Sequence, residues 1–313
     1  MTKRKGYERG ALGHIYQRTF SRYVIFYTVR DFLEFFMIFS LYAKKYRLRI
    51  VGICLMFDHI HFLVEADSQA AITAFIRDYT SAFSLVYNAR YGLKGRLFEP
   101  YGMANKHGDK AKRTAIAYVY NNPVEGKLTV SAEKWPWNFL AYAESKHPFS
   151  EKLSLAKASA KLRRGVQFVK FAYSRNRPLT YEQLDTLFEK LDTKEALQLT
   201  DFIVATYSCI DHGRAIRLYD SYEKMLLAFR SNTGSEYAIS EEYAPSSARA
   251  YIRMSNYIAK EGRLKNMGAL FALPPENKIE YANRMLAVCR ATPRQVKKFL
   301  HIPMEAKALI HRR

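Results

Sequence analysis

The sequence predicts an α+β fold, a ferredoxin-like antiparallel sheet with packed helices, followed by an α-helical C-terminal region. Two observations carry that prediction. Through residue 125, segments with strand character and segments with helix character follow one another as strand, helix, two strands, helix, strand, helix. One antiparallel sheet covered by helices accommodates this order. The composition then changes near residue 145, and beyond "AKASAKLRRG" the chain reads as helix and loop. A boundary at about residue 150 therefore separates domain 1–150 from a helical region 151–313.

The elements follow in order. "GHIYQRTFSRYVIFYT" mixes β-branched and aromatic residues around a polar break at residues 19–22, giving a strand and then a loop or second extended piece. "VRDFLEFFMIFSLYAKKYR" is a long apolar stripe with a basic end, the pattern of a core-facing helix. "LRIVGICLMF" and "HIHFLVEA" are two strand-like runs parted by Asp58, which suits a tight hairpin. "SQAAITAFIRDYTSAFSLVYNARYG" reads as a helix capped by Ser68 and ended by Gly92. "GRLFEPYGMANK" supplies one more strand, and "DKAKRTAIAYVYNNPVEG" a helix expected to stop at Asn122, before Pro123.

Charge narrows the function. The 313 residues carry 50 Lys+Arg against 29 Asp+Glu, a net charge of +21, which points to a polyanionic partner, best a nucleic acid. Residues 1–150 hold 22 of the basic and 12 of the acidic side chains, so both halves are basic and the partner is expected to meet more than one region. No apolar run reaches the roughly 18 residues of a membrane span. None follows "MTKRKGYERG" to make a signal peptide. The expectation is a cytoplasmic, nucleoid-associated protein with no membrane partner. Cys54, Cys209 and Cys289 form no CxxC pair and read as reduced thiols.

His59 and His61 are two apart on a strand, so they share one face while Ile60, Phe62 and Val64 point to the other. Two neutral imidazoles side by side can begin a divalent metal site. The plain alternative is a strand whose outer face is merely polar. Tyr118 and Asn122, four apart on the third helix, lie one turn above each other and address the same point. Tyr120 falls about 160° around the helix from Tyr118 and reads as packed or exposed. With 23 tyrosines in the chain, packing is the ordinary role for any one of them. His14 and His107 show no partner in the sequence.

Together, "DHIHFLVE", "YVYNNPVEG" and "WPWNFLAY" resemble, in order and spacing, the motifs of the tyrosine transposases of the HUH single-strand nuclease superfamily. The REP-associated, insertion-sequence-type branch is the nearest, and the resemblance covers residues 10–145. It implies the HUH nuclease fold. It implies His59, His61 and Asn122 as ligands of Mg²⁺ or Mn²⁺, and Tyr118 as the nucleophile that nicks and rejoins single-stranded DNA through a 5′-phosphotyrosine. The DNA would carry hairpin or palindromic structure, and the enzyme would be a homodimer. Two departures stand out: Asp58 occupies the place of the family's usual asparagine, and "NPVEGKLT" lacks its usual arginine. Asp58 either orients an imidazole as an acceptor or closes the turn.

Single-strand grooves pair cations with stacking rings. The segments "TKRKGYERG" and "GLKGRLFEPYGMANKHGDKAKR" have that mixture, nominating Lys3, Arg4, Lys5, Arg96 and Lys106 as DNA contacts. Residues 276–302 read as two helices, the second capped by Thr292 with Pro293 at its first position. This resembles a helix-turn-helix that would present Arg294, Gln295, Lys297 and Lys298 to DNA; a plain helical hairpin fits the same pattern. The alternative to a strand transferase is a catalytically silent DNA-binding regulator with the same fold. An RNA-binding sheet is a third class, but no RNP aromatic motif is found.

Overall fold

A computed structural model describes residues 6–231, 248–261, 264 and 267–304. The first half is a four-stranded sheet with helices packed on it. β1 (Leu12–Arg18) is followed by α1 (Val29–Lys45), β2 (Arg49–Leu55), β3 (His59–Glu65), α2 (Gln69–Tyr91), β4 (Gly102–Lys106) and α3 (Gly108–Glu125). The strand order is β2-β3-β1-β4 and every neighbouring pair is antiparallel. This is the expected ferredoxin-like arrangement, with β1 and β3 at its centre.

Local chemistry sets the element ends. Ser68 accepts from Ala71 N at the start of α2, and Gly92 closes it in the left-handed region (φ 64°), where a residue with a Cβ is strained. Asp31 and Thr28 form a capping box at the start of α1. The buried Asp31 carboxylate also accepts from the hydroxyls of Tyr91 in α2 and Tyr181, tying three segments together. One face of the sheet packs Ile15, Ile60, Phe62 and Val64 against α1 and α2, where Phe35, Phe39, Phe75 and Tyr79 form a continuous aromatic cluster.

α3 does not stop at Asn122. It runs through Pro123 to Glu125. Pro123 cannot donate to the carbonyl of Val119 and its ring crowds that oxygen, yet the turn is held by Gly126 N on Asn122 O (2.9 Å) and Leu128 N on Pro123 O (2.8 Å). This extra turn buries Asn121 and Asn122 instead of leaving them at a frayed end.

The remainder is helical, as expected: α4 (Ala160–Ser174), α5 (Tyr181–Phe188), α6 (Thr193–Tyr207), α7 (His212–Ile216), α8 (Tyr222–Ser231), α9 (Arg249–Glu261), α10 (Met267–Phe271), α11 (Pro275–Val288) and α12 (Pro293–Leu300). α5 and α6 pack on α1, α8 on α3, and α12 on α9 and α11. No described helix is long and apolar enough to cross a membrane.

Candidate active site

The site lies between the second face of the sheet and α3. The register pairs Tyr16 with His61 and Arg18 with His59, so His14, Tyr16 and Arg18 on β1 share a face with both histidines of β3. α3 packs against β2, β3 and β4 and covers the imidazoles. That face is therefore buried: His59 is 9 % and His61 1 % exposed.

The four residues singled out by the sequence come together. His59 Nε2 lies 3.1 Å from Asn122 Oδ1. The Tyr118 ring stands edge-on to His61, with centroids 5.4 Å apart, and the two histidine rings are 5.2 Å apart. Tyr118 is 1 % exposed. Tyr120 is stacked on Phe229 and lies over Gly52 of β2, where a Cβ would come within 2.9 Å of its Oη.

Each imidazole is held from behind. His59 Nδ1 donates to Asp58 Oδ1 at 2.8 Å, and the other carboxylate oxygen, Oδ2, takes Lys298 Nζ at 2.5 Å. Burial alone would raise the Asp58 pKa. The His59 hydrogen bond and the Lys298 charge outweigh it and hold the carboxyl well below its usual range. Asp58 is thus ionised and can only accept, which places the proton on His59 Nδ1 and leaves Nε2 with a lone pair. That lone pair faces the carbonyl oxygen of Asn122, a second acceptor. Two acceptors at 3.1 Å are reconciled either by a shared cation or by an amide turned so that Nδ2 donates to the ring. Octahedral Mg²⁺ with ligands at about 2.0–2.1 Å sets adjacent donors about 2.9 Å apart, close to what is seen. The buried Asn122 Nδ2 has no hydrogen-bond partner among the described residues. A nitrogen, nitrogen and amide-oxygen donor set therefore fits a divalent cation. No group of three or more His, Cys, Asp or Glu side chains placed to hold a metal ion is found among the described residues, this site included, so its third protein donor would have to be the Asn122 amide.

His14 is the site residue that the sequence did not reveal. Its Nε2 lies 3.1 Å from His61 Nδ1, its ring stacks on His61, and its edge meets Tyr118. Only the β1–β3 register, which no local spacing encodes, brings it there. Tyr16, 38 % exposed, lies on the same face with its ring over Gly102, where a Cβ would sit 2.0 Å from Cζ. His107 lies outside the site and pairs with Glu8 at 2.8 Å.

The proposed DNA contacts divide. Lys3, Arg4 and Lys5 lie outside the described residues. Arg96 is exposed, and Lys106, at the end of the edge strand β4, is half-buried. In α12, Arg294 is exposed, but its neighbours are committed inward. Gln295 is buried and closes the capping box with Thr292, Lys297 bonds Met304 O at 2.9 Å, and Lys298 is turned onto Asp58.

Residues 11–122 match the family model described as "Transposase IS200 like". Among solved structures, a REP-associated tyrosine transposase bound to a REP hairpin is similar at a TM-score of 0.40 and 16% identity, over 51% of this chain and 96% of that one. No curated protein matches. The matched stretch, residues 11–122, is the one that forms the sheet and delivers His59, His61, Tyr118 and Asn122.

Proposed function

We propose that the chain is a metal-dependent, transposase-like DNA strand transferase that nicks and rejoins single-stranded DNA through a 5′-phosphotyrosine on Tyr118. The single observation that carries this reading is the convergence of His59 Nε2 and Asn122 Oδ1, 3.1 Å apart, with the Tyr118 ring against His61. The family match over residues 11–122 supports it. His59, His61 and Asn122 would hold Mg²⁺ or Mn²⁺, which when bound supplies charge stabilisation to the reacting phosphate.

The protein groups do the rest. Tyr118 Oη gives up its proton and bonds to phosphorus as the bond to the 3′ oxygen breaks, and that oxygen takes up a proton to become a free 3′-OH. The covalent link conserves the phosphodiester, so the reverse step at a new junction needs no nucleotide cofactor. Asp58 and His14 fix the orientation of the two imidazoles. Residues 1–150 carry this chemistry and residues 151–313 form the helical accessory region. The substrate is single-stranded DNA with hairpin or palindromic structure, and the active species is a homodimer. Arg96 and Arg294 remain available as phosphate contacts on the exposed surface.

The burial of Tyr118 favours a second reading, a silent DNA-binding regulator. A strand reaches this hydroxyl only if α3 or a segment packed on it shifts. The test is incubation of the full chain with 5′- and 3′-labelled single-stranded hairpin DNA and Mg²⁺ or Mn²⁺. A covalent adduct lost in Tyr118→Phe and kept in Tyr120→Phe is expected. Equal inertness of wild type and Tyr118→Phe, with DNA binding intact, would leave only the regulator.

A further inference from the structure

The Lys298 ammonium comes from the far end of the chain, 240 residues from Asp58, and meets its carboxylate where only 15 % and 11 % of the two side chains remain exposed. Asp58 divides its two oxygens between Lys298 and His59, and its backbone oxygen accepts from both Thr19 N and Thr19 Oγ1 at 3.0 Å. The carboxylate is thereby clamped on one side by a strand of the sheet and on the other by α12. We infer that Lys298 is a positioning residue of the nuclease site: by neutralising and holding Asp58 it fixes the His59 ring, so that the C-terminal helix completes a site otherwise built from residues 14–122. This rests on the cation-site reading of His59 given above.

The docking of α12 does not depend on the Lys298 side chain. Val24 N donates to Lys298 O at 3.1 Å, Tyr27 Oη donates to Phe299 O at 2.7 Å, and His301 Nε2 lies 2.7 Å from Val24 O. Val296, Phe299 and Leu300 are fully buried beneath. A backbone placed by these contacts delivers the ammonium to Asp58 whether or not the ion pair adds net stability, and a buried pair often adds little. What the pair does contribute is geometry. A buried carboxylate without its cation turns towards water, and His59 then loses the acceptor that fixes its tautomer. Partners of this kind, one step behind a metal ligand, typically change metal affinity 10- to 100-fold when removed. A neutral acceptor of the same shape needs no cation beside it, so Asp58→Asn relieves the dependence on Lys298.

The experiment titrates Mn²⁺ alone into the full chain, without DNA, by calorimetry, alongside urea unfolding of each variant. Lys298→Met is expected to weaken Mn²⁺ binding about 10- to 100-fold. Lys298→Arg keeps binding within about threefold by preserving the charge. The double variant Asp58→Asn/Lys298→Met recovers most of the affinity lost in Lys298→Met. A merely structural pair would change unfolding without this rescue. Wild-type Mn²⁺ affinity in Lys298→Met, or a double variant no better than the single one, overturns the inference. Should Lys298→Met not fold, the Arg and double variants decide in the same way. His59→Ala separates the two layers: if it leaves Mn²⁺ binding unchanged, the cation-site reading fails, whereas loss in His59→Ala without loss in Lys298→Met refutes Lys298 alone.

Discussion

Replacing His14 by phenylalanine removes the ring nitrogens while keeping a flat ring of similar size between His61 and Tyr118. In the wild type the rings of His14 and His61 stack with centroids 5.3 Å apart, and Nε2 lies 3.1 Å from His61 Nδ1, both residues being 1 % exposed. Packing is largely retained in the variant, so the loss is mainly that of one buried hydrogen bond. Leaving a buried group without its partner costs about 1–3 kcal/mol. The same contact couples the tautomers of the two rings: His61 Nδ1 is engaged with His14, which leaves Nε2 as the ligand atom. Freed of that constraint, His61 should bind Mn²⁺ about 10- to 100-fold more weakly, which converts to about 1.4–2.7 kcal/mol. Urea unfolding and Mn²⁺ titration of the full chain measure the two quantities. A variant with wild-type stability and wild-type Mn²⁺ affinity would refute the assignment of His14 to the site.

Three further outcomes follow from the fold. Burial, reinforced by the neighbouring Asp31, lifts Glu34 from 4.5 to about 8. Because the folded value is raised, this contribution is fully present below about pH 4.5 and is lost as pH rises towards 8, at about 1.4 kcal/mol per unit. Glu34→Gln should flatten the fall in unfolding free energy across that window, and an unchanged slope would refute the assignment. Asp31→Ala strips the acceptor of the Tyr27 and Thr28 amides and of the Tyr91 and Tyr181 hydroxyls, and should cost more than about 3 kcal/mol in urea unfolding; a loss under about 1 kcal/mol would contradict it. Gly52→Ala forces a Cβ against the buried Tyr120 and should destabilise by about 1–3 kcal/mol, with a neutral thermal shift as the contrary result.

Local signals made much of this legible. The alternation of "HIHFLVE" placed two imidazoles on one face, and four-residue spacing placed Tyr118 above Asn122. Ser68 and Gly92 bounded α2, and Thr292 opened α12 with its capping box. What stayed hidden was set by pairing across the chain. His14 meets His61 only through the register of β1 against β3, and Lys298 meets Asp58 only because α12 docks on residues 24–27. Of the two roles open to Asp58, the structure shows the first: its side chain accepts from His59, while its carbonyl accepts from Thr19 after β1 and the hairpin itself is closed by Met56 N on His59 O. In α12 the amphipathic pattern correctly gave a helix, but the residues picked for DNA lie partly on its inward side. Gln295 in particular had a local explanation, since Thr-x-x-Gln is itself a capping box. Pro123 misled because the rule that helices stop before proline is weakest where buried residues on both sides hold the turn.

A cation held between β3 and α3 beside Tyr118 is the centre of the proposed chemistry, and crystals of the full chain grown with Mn²⁺ test it most directly through the anomalous signal of the ion. One peak bonded to His59 Nε2, His61 and Asn122 Oδ1 is the predicted result. The absence of a peak there, with the Asn122 amide nitrogen donating to His59 instead, would contradict it.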